Sequence, residues 1–125
     1  MKKYLTILIL VLSISSCAQE KKCLEFRTGE FRYVDDNMPE KIIRNDTLQI
    51  EINTKDNIEV HSLIEWTSDC EYVMTYKKIL NYPDDVSDVI GKKIFVTILE
   101  TKGNWYKVHA KGVFSDGEIE FVKID

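Results

Sequence analysis

The stretch Leu48-Gln49-Ile50-Glu51-Ile52-Asn53-Thr54-Lys55-Asp56-Asn57-Ile58-Glu59-Val60-His61 decides the fold. On both sides of a short polar break, apolar and polar residues alternate one by one, which is the period of a half-buried β-strand. Lys55-Asp56-Asn57 has the chemistry of a tight reversal. A link this short joins only antiparallel neighbours, so the stretch is a β-hairpin.

The same pattern extends outward in both directions. Phe31 and Tyr33 alternate with Glu30 and Arg32, Ile64 and Trp66 keep the parity of Ile58 and Val60, and Cys70, Tyr72, Met74 and Tyr76 oppose Glu71, Thr75 and Lys77. Trp105–Ala110 and Glu118–Ile124 complete the set, while Ile94 to Leu99 is apolar on both parities, as in a strand covered on both faces. Asn45-Asp46, Thr67-Ser68-Asp69, Lys102-Gly103-Asn104 and Asp116-Gly117 are further turn signals. Between Pro83 and Gly91 the pattern changes: Val86, Val89 and Ile90 fall at i, i+3 and i+4, which predicts one or two helical turns. Seven or eight strands in meander order predict an all-β domain, a barrel or strongly curved sheet. An immunoglobulin-like sandwich is the alternative, but its Greek-key order needs longer crossovers than these turns provide.

The chain opens differently. Lys2 and Lys3 precede an apolar stretch from Tyr4 to Ile14, and Ser15 and Ser16 lead to Cys17. Charge, apolar core and small residues in that order are a signal peptide, and eleven residues are well short of the roughly 20 that a spanning helix needs. Ile14-Ser15-Ser16-Cys17 resembles the lipobox of bacterial lipoproteins. That resemblance implies a diacylglycerol thioether on Cys17, cleavage before it and N-acylation. Residues 1–16 are then removed, 17–22 form a lipidated cysteine and short tether, and 23–125 form one all-β domain. The five tether residues reach about 17 Å at about 3.4 Å each.

Removing Lys2 and Lys3 from the 17 basic residues leaves 15 against 21 acidic ones, a net charge of −6. Such a surface is repelled by phosphate backbones, which excludes nucleic acid as an expected partner. With Cys17 lipidated, Cys23 and Cys70 remain. Two thiols in an exported chain read as one disulfide and make a poor zinc site. The alternative is that Cys70, on the parity of Tyr72 and Met74, is a buried free thiol.

Cys23-Leu24-Glu25-Phe26-Arg27-Thr28-Gly29-Glu30-Phe31, Arg44-Asn45-Asp46-Thr47-Leu48-Gln49-Ile50-Glu51 and Trp66-Thr67-Ser68-Asp69-Cys70-Glu71-Tyr72 resemble segments of a group of small lipoproteins of flavobacteria and relatives. A looser likeness continues at Gly103-Asn104-Trp105-Tyr106. The resemblance implies an envelope location and a β fold, and it carries no activity or site residue. Some members look to bear the label of a topoisomerase IV subunit. That label conflicts with a small, acidic, exported chain. Asp46-Thr47-Leu48 also resembles the Asp-Ser/Thr-aliphatic site of O-glycosylation in these bacteria, which makes Thr47 a candidate acceptor.

Catalytic signals are weak. His61 and His109 are the only histidines, and each lies on a strand among charged residues. Asp84, Asp85 and Asp88 lack the ligand spacing of a calcium loop, and Glu25, Glu30, Asp35 and Asp36 offer no distinguished carboxylate pair. There is no nucleophile elbow and no Gly-rich phosphate loop. No enzyme activity, metal or cofactor is expected.

The expected role is that of a membrane-anchored envelope lipoprotein, a non-catalytic protein-interaction or structural module. The alternative is a lipocalin-like binder of a small apolar ligand, which requires an open apolar cavity of a few hundred Å³. The expected location is the outer membrane. Its periplasmic face is favoured over the cell surface because Glu20 is followed by Lys21 and Lys22 instead of an acidic cluster. Cys17→Ala should abolish acylation and release or mislocalise the protein. Fatty-acid labelling and membrane fractionation check this, and normal labelling of the variant would overturn it.

Overall fold

Short turns between alternating segments leave each strand little choice but to pair with its neighbours in sequence. In the computed structural model, which describes residues 21–125, eight strands do so: β1 (Gly29–Tyr33), β2 (Lys41–Arg44), β3 (Leu48–Asn53), β4 (Ile58–Ser68), β5 (Glu71–Leu80), β6 (Lys93–Lys102), β7 (Trp105–Gly112) and β8 (Asp116–Lys123). Every neighbouring pair is antiparallel, and β1 also pairs with β8, so the meander closes into a barrel without edge strands. Residues 1–16, read above as a signal peptide, and Cys17 lie outside the described residues.

The closing seam is short. Phe31, Arg32 and Tyr33 stand opposite Lys123, Val122 and Phe121. Backbone bonds from Glu30 N to Asp125 O (2.8 Å), Ile124 N to Glu30 O (2.8 Å) and Val34 N to Glu120 O (3.1 Å) extend it at both ends. Gly29 permits this approach: its φ is +133°, and a Cβ there would stand 2.6 Å from Asp125 O.

The two ends of the barrel differ. At one end a 3₁₀ turn, Cys23–Phe26, folds over the opening and inserts Phe26, whose ring centroid lies 4.5 Å from that of Tyr106. Cys23 is bonded to Cys70 in the β4–β5 turn, and Lys123 Nζ donates to Glu25 O at 2.7 Å. The disulfide read from cysteine count and export is therefore present, and the free-thiol alternative falls. At the opposite end the longer connections 34–40 and 81–92 meet the turns 54–57 and 113–115. These we call the closed end and the mouth. The described chain begins at the closed end, where Lys22 N donates to Thr101 Oγ1 near the end of β6.

Phe26, Phe31, Ile42, Tyr72, Ile98, Tyr106 and Val108 fill the half of the barrel next to the closed end. Tyr106 is central, stacked on Phe121 at 5.0 Å and edge-on to Phe31 at 5.8 Å. One expectation changes. β6 is covered on its inner face only: Val96 and Ile98 are buried, whereas Phe95 and Leu99 are exposed on the outside. Its double-sided apolarity comes from an exposed outer row, not from a second layer. In the 83–91 segment, Val89 N donates to Val86 O and Lys92 N to Val89 O, which makes i→i+3 turns over 87–91, and the 3₁₀ helix of the described residues is at Cys23–Phe26.

The disulfide closes a loop across a sequence separation of 47 residues. On the chain-entropy model such a bridge contributes about 4 kcal/mol. The double variant Cys23→Ser, Cys70→Ser should lose roughly that amount in urea unfolding of the domain. A change below about 1 kcal/mol would show that the plug holds without its bond.

Candidate functional site

Arg44 occupies the last position of β2, beside a turn in which Asn45 Oδ1 accepts from the backbone N–H groups of Thr47 and Leu48. That Asx turn sets the register, so Arg44 faces Gln49 across the hairpin and Ile42 faces Glu51. Ile42 is packed in the core, so residues of its parity point inward, and with them come Arg44, Gln49 and Glu51. The alternation of β3 thus runs opposite to a simple hydrophobic reading: Leu48, Ile50 and Ile52 lie on the outer face, and Gln49 and Glu51 line the interior.

Arg44 is only 3% exposed. Its Nε donates to Gln49 Oε1 at 3.0 Å and its Nη1 to Phe26 O, in the plug, at 2.7 Å. The guanidinium carbon lies 4.5 Å from the Phe31 ring centroid, 5.4 Å from that of Tyr72 and 6.0 Å from that of Tyr106. Contact with aromatic faces offsets part of the cost of burying the charge. Nearer the mouth, Tyr33 Oη donates to Glu51 Oε2 at 2.8 Å. Burial holds the Glu51 carboxyl above its ordinary range, against the lowering effect of the Tyr33 hydrogen bond, with Glu40 raising it further and Arg44 opposing. Burial and the neighbouring carboxylate also push the Tyr33 phenol upward.

These groups surround a cavity of about 170 Å³ in the mouth half of the barrel. Arg44, Gln49 and Tyr72 form its floor, Tyr33 and Glu51 stand on one wall, and Met74, Ile94, Val96, Ala110, Ile119 and Phe121 contribute apolar surface. Ser115 and Tyr76 also line it. Around the mouth, Val34, Leu80, Tyr82, Ile90, Val113 and Phe114 are exposed.

The residues singled out from the sequence do not converge here. Thr47 is exposed in the β2–β3 turn at the closed end. His61 Nε2 lies 2.9 Å from Glu59 Oε1 and His109 Nε2 lies 2.6 Å from Asp116 Oδ1, two separate surface pairs. Glu25 and Glu30 sit at the closed end, whereas Asp35 and Asp36 are in the mouth-end loop. Asp85 Oδ1 accepts from Ser87 N, a local turn contact that lowers its carboxyl. Among the described residues no three His, Cys, Asp or Glu side chains gather as a metal site would require. Arg44, Gln49, Glu51 and Tyr33 were missed. The available signal was the turn at Asn45-Asp46, which makes Gln49 share the face of Arg44 once the register is known.

Comparison with protein-family models, curated proteins and solved structures returned no match. The cavity therefore has to be read from its own chemistry.

The raised Glu51 carboxyl has a signed consequence. Unfolded, the group releases its proton near pH 4.5; folded, it does so at higher pH. Stability from this group is full below the lower value and falls as pH rises through the window above it. Glu51→Gln, which keeps an acceptor for Tyr33, should raise the melting temperature by a few degrees at pH 7 and leave it unchanged below about pH 4. Equal melting temperatures at both pH values would show that Glu51 carries no burial penalty.

Proposed function

We propose that the protein is a membrane-tethered, non-catalytic binding module of the cell envelope, a cup that takes up a small ligand through its mouth. The observation that carries this reading is the polarity of the barrel. The chain reaches the domain at the closed, disulfide-fastened end, and the cavity opens at the other. A lipid on Cys17 would hold the closed end toward the bilayer and turn the mouth away from it, within about 17 Å of tether. Placement in the outer membrane, on its periplasmic face, rests on the lipobox and the residues after it. The exposed hydroxyl of Thr47 at a turn is compatible with O-glycosylation at the closed end.

Within this reading the ligand is smaller and more polar-headed than that of a lipocalin-like carrier. Pockets for drug-sized molecules run from about 300 Å³ upward, and this one holds about 170 Å³ with Arg44 on its floor. A second reading, contact with another envelope protein, is favoured by the exposed apolar side chains around the mouth, of which Phe114 is 66% exposed.

Native mass spectrometry of the lipidated protein extracted from its host distinguishes the two. A bound species of low mass that Ala110→Leu removes is the expected result, because the added side chain occupies the cavity. Protein that is never liganded, together with partner capture lost in Phe114→Ser, would replace the ligand reading with the protein-contact reading.

A further inference from the structure

The floor of the cavity is rich in donors and poor in acceptors. Arg44 carries five N–H donors, and its hydrogen bonds to Gln49 Oε1 and Phe26 O engage Nε and Nη1, leaving Nη2 without an acceptor among the described residues. No carboxylate among the described residues lies within ion-pairing distance of it. Gln49 spends its amide oxygen on Arg44, so its NH₂ group is left on a residue that lines the cavity. The Tyr106 hydroxyl, fully buried, lies close enough to the guanidinium to interact with it, but no hydrogen bond of good geometry joins the two, and one hydroxyl oxygen cannot meet all the remaining donors. Buried charges in proteins are normally paired, because an isolated one costs several kcal/mol of desolvation. Aromatic faces cover the guanidinium from Phe31 and Tyr72, but they satisfy no N–H group.

The remaining walls limit what can complete this floor. Met74, Ile94, Val96 and Ala110 present apolar surface beside it. Near the mouth stands the Glu51 carboxyl, whose partner is the Tyr33 hydroxyl. A second negative charge on a ligand would be placed against that carboxyl. As to size, an apolar protein cavity of about 150 Å³ is known to hold one benzene molecule, which makes about 170 Å³ room for one ring or a branched chain of similar bulk.

We propose that the cavity binds a small monocarboxylate, with its carboxylate on Arg44 and Gln49 and its compact apolar body against the β5–β7 wall. This rests on the reading of the barrel as a ligand-binding cup and specifies the ligand's charge and size. The carboxylate supplies the missing counterion, and a bidentate pair with a guanidinium is among the stronger polar contacts available to a buried site.

Benzoate and its neutral counterpart benzyl alcohol test it, followed through the methyl resonances of Met74, Ile94 and Ala110 in the full domain. Benzoate should shift these signals saturably, with an affinity at least about tenfold above that of benzyl alcohol. Arg44→Met should abolish that preference. Because Arg44 also holds the plug, Ala110→Leu serves as a second variant that keeps the floor and fills the space; it should remove the response to both probes. Benzyl alcohol binding as tightly as benzoate would overturn the anion assignment and leave the ligand-binding cup standing. No methyl shift with either probe overturns both. A benzoate response that survives Ala110→Leu places the anion outside the barrel and overturns the assignment.

Discussion

A guanidinium enclosed in an eight-stranded barrel constrains the rest of the molecule. Arg44 is only 3% exposed, so most of its donors must be met from inside, and the groups that meet Nε and Nη1 belong to separate parts of the chain: Gln49 on the partner strand of its hairpin and Phe26 O in the plug. The plug is thereby tied to the wall by a charge-assisted hydrogen bond as well as by packing, and the ring of Phe26 seals the core that Tyr106 centres. Loss of the plug would leave a buried cation exposed to incoming water and several aromatic rings without their cover. The polar and apolar halves of the interior meet at this one side chain.

From that constraint follows the division of the barrel into two ends. The closed end carries the disulfide, the Lys123 contact to Glu25 O and the stacked Arg27–Trp66 pair at 4.5 Å. A bridge worth about 4 kcal/mol is a large share of the 5 to 15 kcal/mol that stabilises a typical domain, and it sits wholly at that end. The mouth has no such fastening. Its loops are longer, its apolar side chains are exposed, and the space beneath them is lined by groups with unspent hydrogen-bonding capacity. A rigid end where the described chain enters and an unfilled volume at the other are the two features on which the proposed binding role rests.

How far the sequence was legible can be judged strand by strand. β4 and β5 read correctly, with Ile64 and Tyr72 inward, because their apolar residues do face a core, and β7, read only as a strand, turns Tyr106 and Val108 inward. β3 read correctly as a strand and inverted as to its faces, since Leu48, Ile50 and Ile52 are the outer row and the polar set is inside. β6 gave no clue to its faces at all, and Phe95 proved to be exposed. In each case hydrophobicity reports only that a position avoids water on average. A small barrel with a polar cavity breaks the rule that the apolar row is the inner one.

By itself the sequence determined the strands, the turns between them and the antiparallel order, because alternation and turn chemistry are local properties; it favoured a Cys23–Cys70 bridge and left a free Cys70 as the alternative, which the structure removed. The likeness of Ile14-Ser15-Ser16-Cys17 to a lipobox is likewise legible in the sequence alone. Tertiary structure alone decided that the meander closes, that a 3₁₀ turn stoppers one end, and that Arg44, Gln49, Glu51 and Tyr33 share one interior. Those outcomes depend on register and on curvature accumulated over all eight strands. A shift of one residue at the Asn45-Asp46 turn would have placed the same side chains in solvent, and no single segment contains the information that forbids it.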